Sequence, residues 1–249
     1  MTLSAMPSAT DIRVSNTPAE LFQAAAEKFA GLAAQAVQSH GRFTVALSGG
    51  STPKNLYSLL AGGSVPNIPW GKIFFFFGDE RFVPPDHPDS NYRMVREAGL
   101  FSKVSDSQVF RVLTEEKDAD SAALDYEKKL QKFFNLKSGD FPRFDLILLG
   151  LGPDGHTASL FPGTAAVNEN NRLVVANWVE KFHTFRITFT LPVLNHAACD
   201  MFLVSGAEKA DIVREVLVNK NADLPSQKVH PENGRLLWLL DAVAASGLS

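Results

Sequence analysis

Three short apolar runs, Phe43–Leu47, Ile73–Phe77 and 144–149, each break directly into a polar loop that carries glycine. Ile73–Phe77, apolar at every position, has no face left for water, so it belongs in a sheet covered on both sides, as parallel sheets are. The stretches between the runs read as helices. Thr17-Pro18-Ala19-Glu20 supplies a cap, a first-turn proline and an acid for a capping box. Apolar residues then keep helical spacing up to Gly41. Thr52 and Pro53 offer a second cap and first turn, closed by Gly62-Gly63. Further helices are expected after Ser90, over 118–134 and over 207–218, and further strands over 173–179, 186–190, 201–205 and 236–240. Strands alternating with helices predict an α/β fold with a mainly parallel sheet flanked by helices. We read the 249 residues as one such domain.

Composition narrows the function. The chain is 45% hydrophobic and 20% charged, ordinary values for a folded protein. Its net charge of −3 argues against binding nucleic acid by bulk charge. Cys199 is the sole cysteine, which excludes an intrachain disulfide framework and a cysteine-based zinc site. No apolar run approaches the roughly 20 residues that cross a bilayer. Residues 1–13 lack the basic start and apolar core of a signal peptide. A cytoplasmic protein, monomeric or a small homo-oligomer, is the expectation.

In open α/β sheets ligands bind beyond the carboxyl ends of the strands, and there the unusual residues fall. Ser48-Gly49-Gly50-Ser51-Thr52 joins a strand to a helix. Glycine N–H groups, hydroxyls and a helix N-terminus together favour a phosphate. No Gly-Lys-Ser/Thr follows, so the ATP-binding pattern is absent. Gly78-Asp79-Glu80-Arg81 follows the second run, and Arg81 has the fork that suits a phosphate or an oxyanion. Gly150-Leu151-Gly152-Pro153-Asp154-Gly155-His156 follows the third. Histidine titrates near neutrality and can take a proton from water and return it; Asp154 is placed to orient it. The glycine spacing of this loop only superficially resembles a dinucleotide fingerprint, which lies early in a chain. Metal ligation by Asp79, Glu80, Asp154 and His156 lacks a His pair or regular ligand spacing. Ser48, Ser51 and Ser159 are candidate nucleophiles without a Gly-x-Ser-x-Gly elbow. Arg186, opening a strand, and Lys209, beginning a helix, could add positive charge. Cys199, His183, His196 and His230 read as packing or surface residues.

These segments, with 157–163, 186–195, 206–210 and 234–241, resemble the glucosamine-6-phosphate isomerase/6-phosphogluconolactonase family over nearly the whole chain, the most specific stretch being Asp154-Gly155-His156-Thr157-Ala158-Ser159-Leu160-Phe161-Pro162. The resemblance implies a Rossmann-like fold and hydrolysis of 6-phospho-D-glucono-1,5-lactone to 6-phosphogluconate in the oxidative pentose phosphate pathway, with no metal or organic cofactor. It implies His156 as general base, and substrate or phosphate contacts from Ser48, Gly49, Gly50, Ser51, Thr52, Arg81, Arg186 and Lys209. The deaminase branch usually has Ile-Ala-Phe-Asn-Glu-Pro after the histidine and Asp-Glu-Tyr at the second loop. Here those places hold 157–162, with apolar Phe161, and Asp79-Glu80-Arg81. Ring opening needs the missing acid, whereas lactone hydrolysis needs only an activated water and a stabilised oxyanion. A deaminase or isomerase, and a non-catalytic sugar-phosphate sensor, are the alternatives.

Overall fold

The computed structural model describes residues 9–219 and 223–248; the first eight residues of the 1–13 stretch read against a signal peptide lie outside them. Six strands form one sheet, every pair parallel, in the order β1 (Ala9–Ser15), β9 (Arg235–Asp241), β8 (Cys199–Val204), β5 (Leu146–Leu149), β2 (Phe43–Leu47) and β3 (Ile73–Phe77). The three apolar runs supply its β2, β3 and β5. Val45, Leu47, Phe75 and Phe77 enter one core with α1 (Pro18–His40) and α2 (Ser51–Ala61). Their alternates Ala46 and Phe76 enter the other, with α4 (Ala119–Phe134). Period-two alternation thus feeds two cores at once.

A smaller antiparallel sheet, in the order β4 (Asp79–Arg81), β7 (Thr184–Phe189) and β6 (Val174–Val179), adjoins the first. The segments expected at 173–179 and 186–190 lie here rather than among the parallel strands. Only the turn Glu180–Phe182 and His183 separate them, and so short a connection allows an antiparallel pair alone. Gly78 joins the sheets: its N–H donates to Leu47 O at 2.9 Å, and its carbonyl accepts from Phe189 N at 2.8 Å. The small sheet is therefore fixed at the carboxyl end of the large one.

Several local expectations change. Strand β1 was not expected, because Asp11 and Arg13 give it the polarity of a loop. As an edge strand it pairs, among the described residues, with β9 alone. Gly50, at φ 105°, is the N-cap of α2, and the chain is already helical at Ser51, so Thr52 is not a cap. The reach of Glu20 is to Asn16 N, at 2.9 Å, one residue short of a capping box. The helix expected over 207–218 is a 3-10 turn, Ala207–Lys209, followed by an α-helix, Ala210–Leu217. Ser90 caps α3 (Asn91–Glu97), its hydroxyl accepting from Arg93 N at 3.1 Å. No described helix is long and apolar enough to cross a membrane.

Candidate active site

The loop leaving β5 is held in one shape by its own bonds. Gly152 N–H donates to His156 O at 2.9 Å, Gly155 N–H to Gly152 O at 3.0 Å, and Thr157 Oγ1 to Gly150 O at 2.9 Å. Gly155 has φ 76°, a left-handed conformation that glycine adopts without cost. A side chain at Gly152 would overlap the His156 ring. Ser159 fastens the loop to the small sheet: its Oγ donates to Asp79 Oδ2 at 2.6 Å, and its N–H to Thr188 Oγ1 at 3.2 Å.

His156 Nδ1 bonds Asp154 Oδ1. A carboxylate acceptor fixes the proton on Nδ1 and leaves Nε2 as the basic nitrogen, with no protein partner among the described residues. The ring stacks on Phe161, centroids 4.0 Å apart. Burial lowers the His156 pKa below the usual imidazole range; the Asp154 bond and charge and the Asp79 charge oppose this, while Lys209 reinforces it. Burial would raise the Asp154 pKa, but the bond to His156 and its charge bring it below the ordinary carboxylate value. The pair therefore rests as neutral imidazole beside carboxylate, the state a general base requires.

The 48–52 loop lies over the neighbouring strand β2. The N–H groups of Gly49, Gly50, Ser51 and Thr52 meet no acceptor among the described residues, and no side chain caps the helix they open. Ser48 differs: its N–H donates to Tyr57 Oη at 2.9 Å, and Tyr57 Oη donates to Ser48 O at 2.8 Å. Only its hydroxyl faces other uses, and that donates to Gly49 O at 3.1 Å. Buried Asn91 sits where a Gly49 side chain would be, and donates to Asp79 O at 2.9 Å. Lys209 crosses from the end of β8 to donate to Leu151 O at 2.8 Å.

Arg81 and Arg186 are direct partners in the β4–β7 ladder, so both side chains leave the same face of the small sheet. Arg81 Nη1 donates to Asp89 O at 2.8 Å. Neither forms an ion pair among the described residues, and both Nε atoms are buried without an acceptor. Burial, and then the Arg81 charge, lower the Arg186 pKa. Asp79 and Thr188, the holders of Ser159, are the next pair along this face, which ties the His156 loop to the arginines.

Other candidates are occupied elsewhere. Glu80 accepts N–H bonds from Arg81, Asn91 and Tyr92 at 2.7–2.8 Å, closing the start of α3. The Ser159 hydroxyl is engaged by Asp79 and buried, so it forms no pair with His156. Cys199 is buried, its thiol pushed up to about 11 by burial. His196 packs near Phe141, and the backbone of His230 bonds Asn195. Among the described residues no three His, Cys, Asp or Glu side chains gather as metal ligands. Sequence reasoning missed Tyr57, Asn91 and Thr188, polar groups inside ordinary-looking helix and strand. It also missed Lys181 and Phe182, on the turn beside the site.

Comparison with known proteins bears on the family and the fold. Residues 16–238 match the family described as glucosamine-6-phosphate isomerases/6-phosphogluconolactonase. The chain is 46% identical over 217 residues to a 6-phosphogluconolactonase of Nostoc sp., covering 86% of this chain and 88% of that one. It is 44% identical over 218 residues to a 6-phosphogluconolactonase of Synechocystis sp., with the same coverage. The solved structure of 6-phosphogluconolactonase from Trypanosoma cruzi superposes with TM-score 0.87 at 31% identity, covering 98% of this chain and 99% of that one. The corresponding structure from Trypanosoma brucei gives 0.86 at 31% identity, covering 97% of this chain and all of that one. The chain belongs to the glucosamine-6-phosphate isomerase/6-phosphogluconolactonase family.

Proposed function

We propose that the protein hydrolyses 6-phospho-D-glucono-1,5-lactone to 6-phospho-D-gluconate, with His156 activating the water. The observation that carries the mechanism is the His156–Asp154 pair, a neutral imidazole against a carboxylate, at the carboxyl edge of the sheet one strand from the 48–52 loop. The substrate phosphate is held by the free N–H groups of Gly49, Gly50, Ser51 and Thr52, the Ser48 hydroxyl, Arg186 and Lys209. Arg81 stands opposite Arg186, and a single anion neutralises both, so we assign Arg81 to the phosphate as well. The oxyanion is then left to N–H groups of the loop that carries His156.

Anchoring the phosphate brings the lactone carbonyl to His156. Nε2 takes a proton from water as the oxygen attacks C1, and a tetrahedral oxyanion forms. Collapse breaks the C1–ring oxygen bond, and the protonated imidazole returns the proton to that oxygen. Asp154 orients the ring and stabilises its transient charge.

The ring stacked on His156 supports this reading over a deaminase. Phe161 can neither give nor take a proton, and deamination with ring opening calls for an acid there. Turnover of freshly made lactone, corrected for spontaneous hydrolysis, tests the proposal. Acceleration that vanishes in His156→Ala is expected. Ammonia release from glucosamine 6-phosphate, or binding of 6-phosphogluconate without turnover, would overturn it.

A further inference from the structure

The turn Glu180–Phe182, between β6 and β7, places Phe182 46% exposed. One exposed apolar ring is ordinary by itself; what distinguishes Phe182 is what it touches. Its described ring neighbours all belong to the site. Its edge meets Phe161, centroids 6.0 Å apart, and Phe161 stacks on His156. Its face lies beneath the Arg186 guanidinium at 5.2 Å and the Lys181 ammonium at 5.6 Å. Lys181 in turn stands 3.7 Å from Asp154 Oδ2. The aromatic pair Phe161–Phe182 thus forms an apolar strip from the catalytic imidazole to Arg186, with buried Phe161 as its inner part and Phe182 as its exposed part. Nearby exposed Trp178 and Phe185 differ, since they cover each other at 5.0 Å.

We infer that Phe182 contacts the substrate and sets its position, the C–H face of the lactone ring lying on the strip between His156 and Arg186. This rests on the lactonase reading. A sugar ring has two apolar C–H faces and polar edges, and an aromatic surface accepts the former while its rim leaves the hydroxyls wet. The strip joins the two groups that the two ends of the substrate must reach. It therefore fixes how far the carbonyl stands from the anchored phosphate. No titration is involved, and the exposed position keeps Phe182 out of the cores.

The test is steady-state hydrolysis of 6-phosphogluconolactone by the full chain and by Phe182→Ala, Phe182→Leu and Phe182→Tyr, each with a melting curve. Phe182→Ala is expected to raise KM about tenfold with kcat within threefold of wild type and the pH profile unmoved. Phe182→Leu should fall between, Phe182→Tyr should restore KM, and all melting temperatures should match. Wild-type turnover with an unchanged KM in Phe182→Ala overturns this inference alone. A loss that tracks a lowered melting temperature and is not rescued by tyrosine does the same. Absence of turnover by the wild type overturns the lactonase reading and the inference with it.

Discussion

Arg81 and Arg186 face each other across the antiparallel β4–β7 ladder, with both Nε atoms buried and unpaired among the described residues. Like charges directly opposite in a sheet repel, and buried N–H donors without acceptors cost stability. An anion between them removes both penalties. Either Arg81→Ala or Arg186→Ala should raise KM for the phosphorylated lactone by about 10–100-fold, the range of a charge-assisted hydrogen bond. The double variant should lose less than the product, since both groups meet one anion. Neither single variant should melt lower than wild type. Steady-state kinetics beside melting curves decide this; a fall in kcat at saturation for Arg81→Ala alone would move Arg81 to the oxyanion.

The His156–Asp154 pair predicts two separable effects. Burial holds the His156 pKa below the usual imidazole value, so the acid limb of kcat/KM should lie below pH ~6.5. His156→Ala should lower kcat by about 10²–10⁴-fold with little change in KM. Asp154→Asn removes the charge that favours imidazolium, so the limb should move further to acid while kcat drops from lost orientation. The pH–rate profile reads both; a limb moving towards alkali in Asp154→Asn would contradict the assigned geometry.

The sequence made the frame legible where one signal dominated. Uniformly apolar runs mark strands wet on neither face, and their abrupt ends at glycine mark the site. Strand β1 was not legible, because an edge strand with Asp11 and Arg13 needs no apolar alternation. Nor was the second sheet, since Gly78 serves both sheets through backbone bonds that any residue type could make. Among the candidate site residues, the His156–Asp154 contact was legible from adjacency. The opposition of Arg81 to Arg186, 105 positions apart, depends on register, which neither segment encodes alone. Asn91 and Tyr57 act on backbone loops, and a helical Asn or Tyr carries no mark of that.

Glu80 should prove structural despite its place in the second loop. Its two oxygens accept from the N–H groups of Arg81, Asn91 and Tyr92, and burial raises its pKa to about 7 against those donors. Glu80→Gln keeps the shape but turns an NH2 towards an N–H. Stability should fall by about 1–3 kcal/mol, the cost of a buried unsatisfied donor. Activity per folded molecule should hold within a few-fold. Denaturant unfolding and kinetics on the same sample separate the two, and a stable but inactive variant would instead give Glu80 a part in the chemistry.

Asp200 lies in β8 between buried Ile147 and Leu236, with both carboxyl oxygens buried and unpartnered among the described residues. Burial holds its pKa well above the ordinary carboxylate range, so the folded state keeps a proton that the unfolded chain releases above pH ~4. Stability from this group is complete below the unfolded pKa and declines as pH rises towards the folded one. Asp200→Asn cannot ionise and should escape that decline, although its amide is no better paired. The variant should match wild type near pH 4 and exceed it increasingly as pH rises to 8, with a higher melting temperature there. Melting curves from pH 4 to 8 test the sign directly. A difference that stays constant or narrows with rising pH would mean that Asp200 is ionised in the fold and finds a partner there.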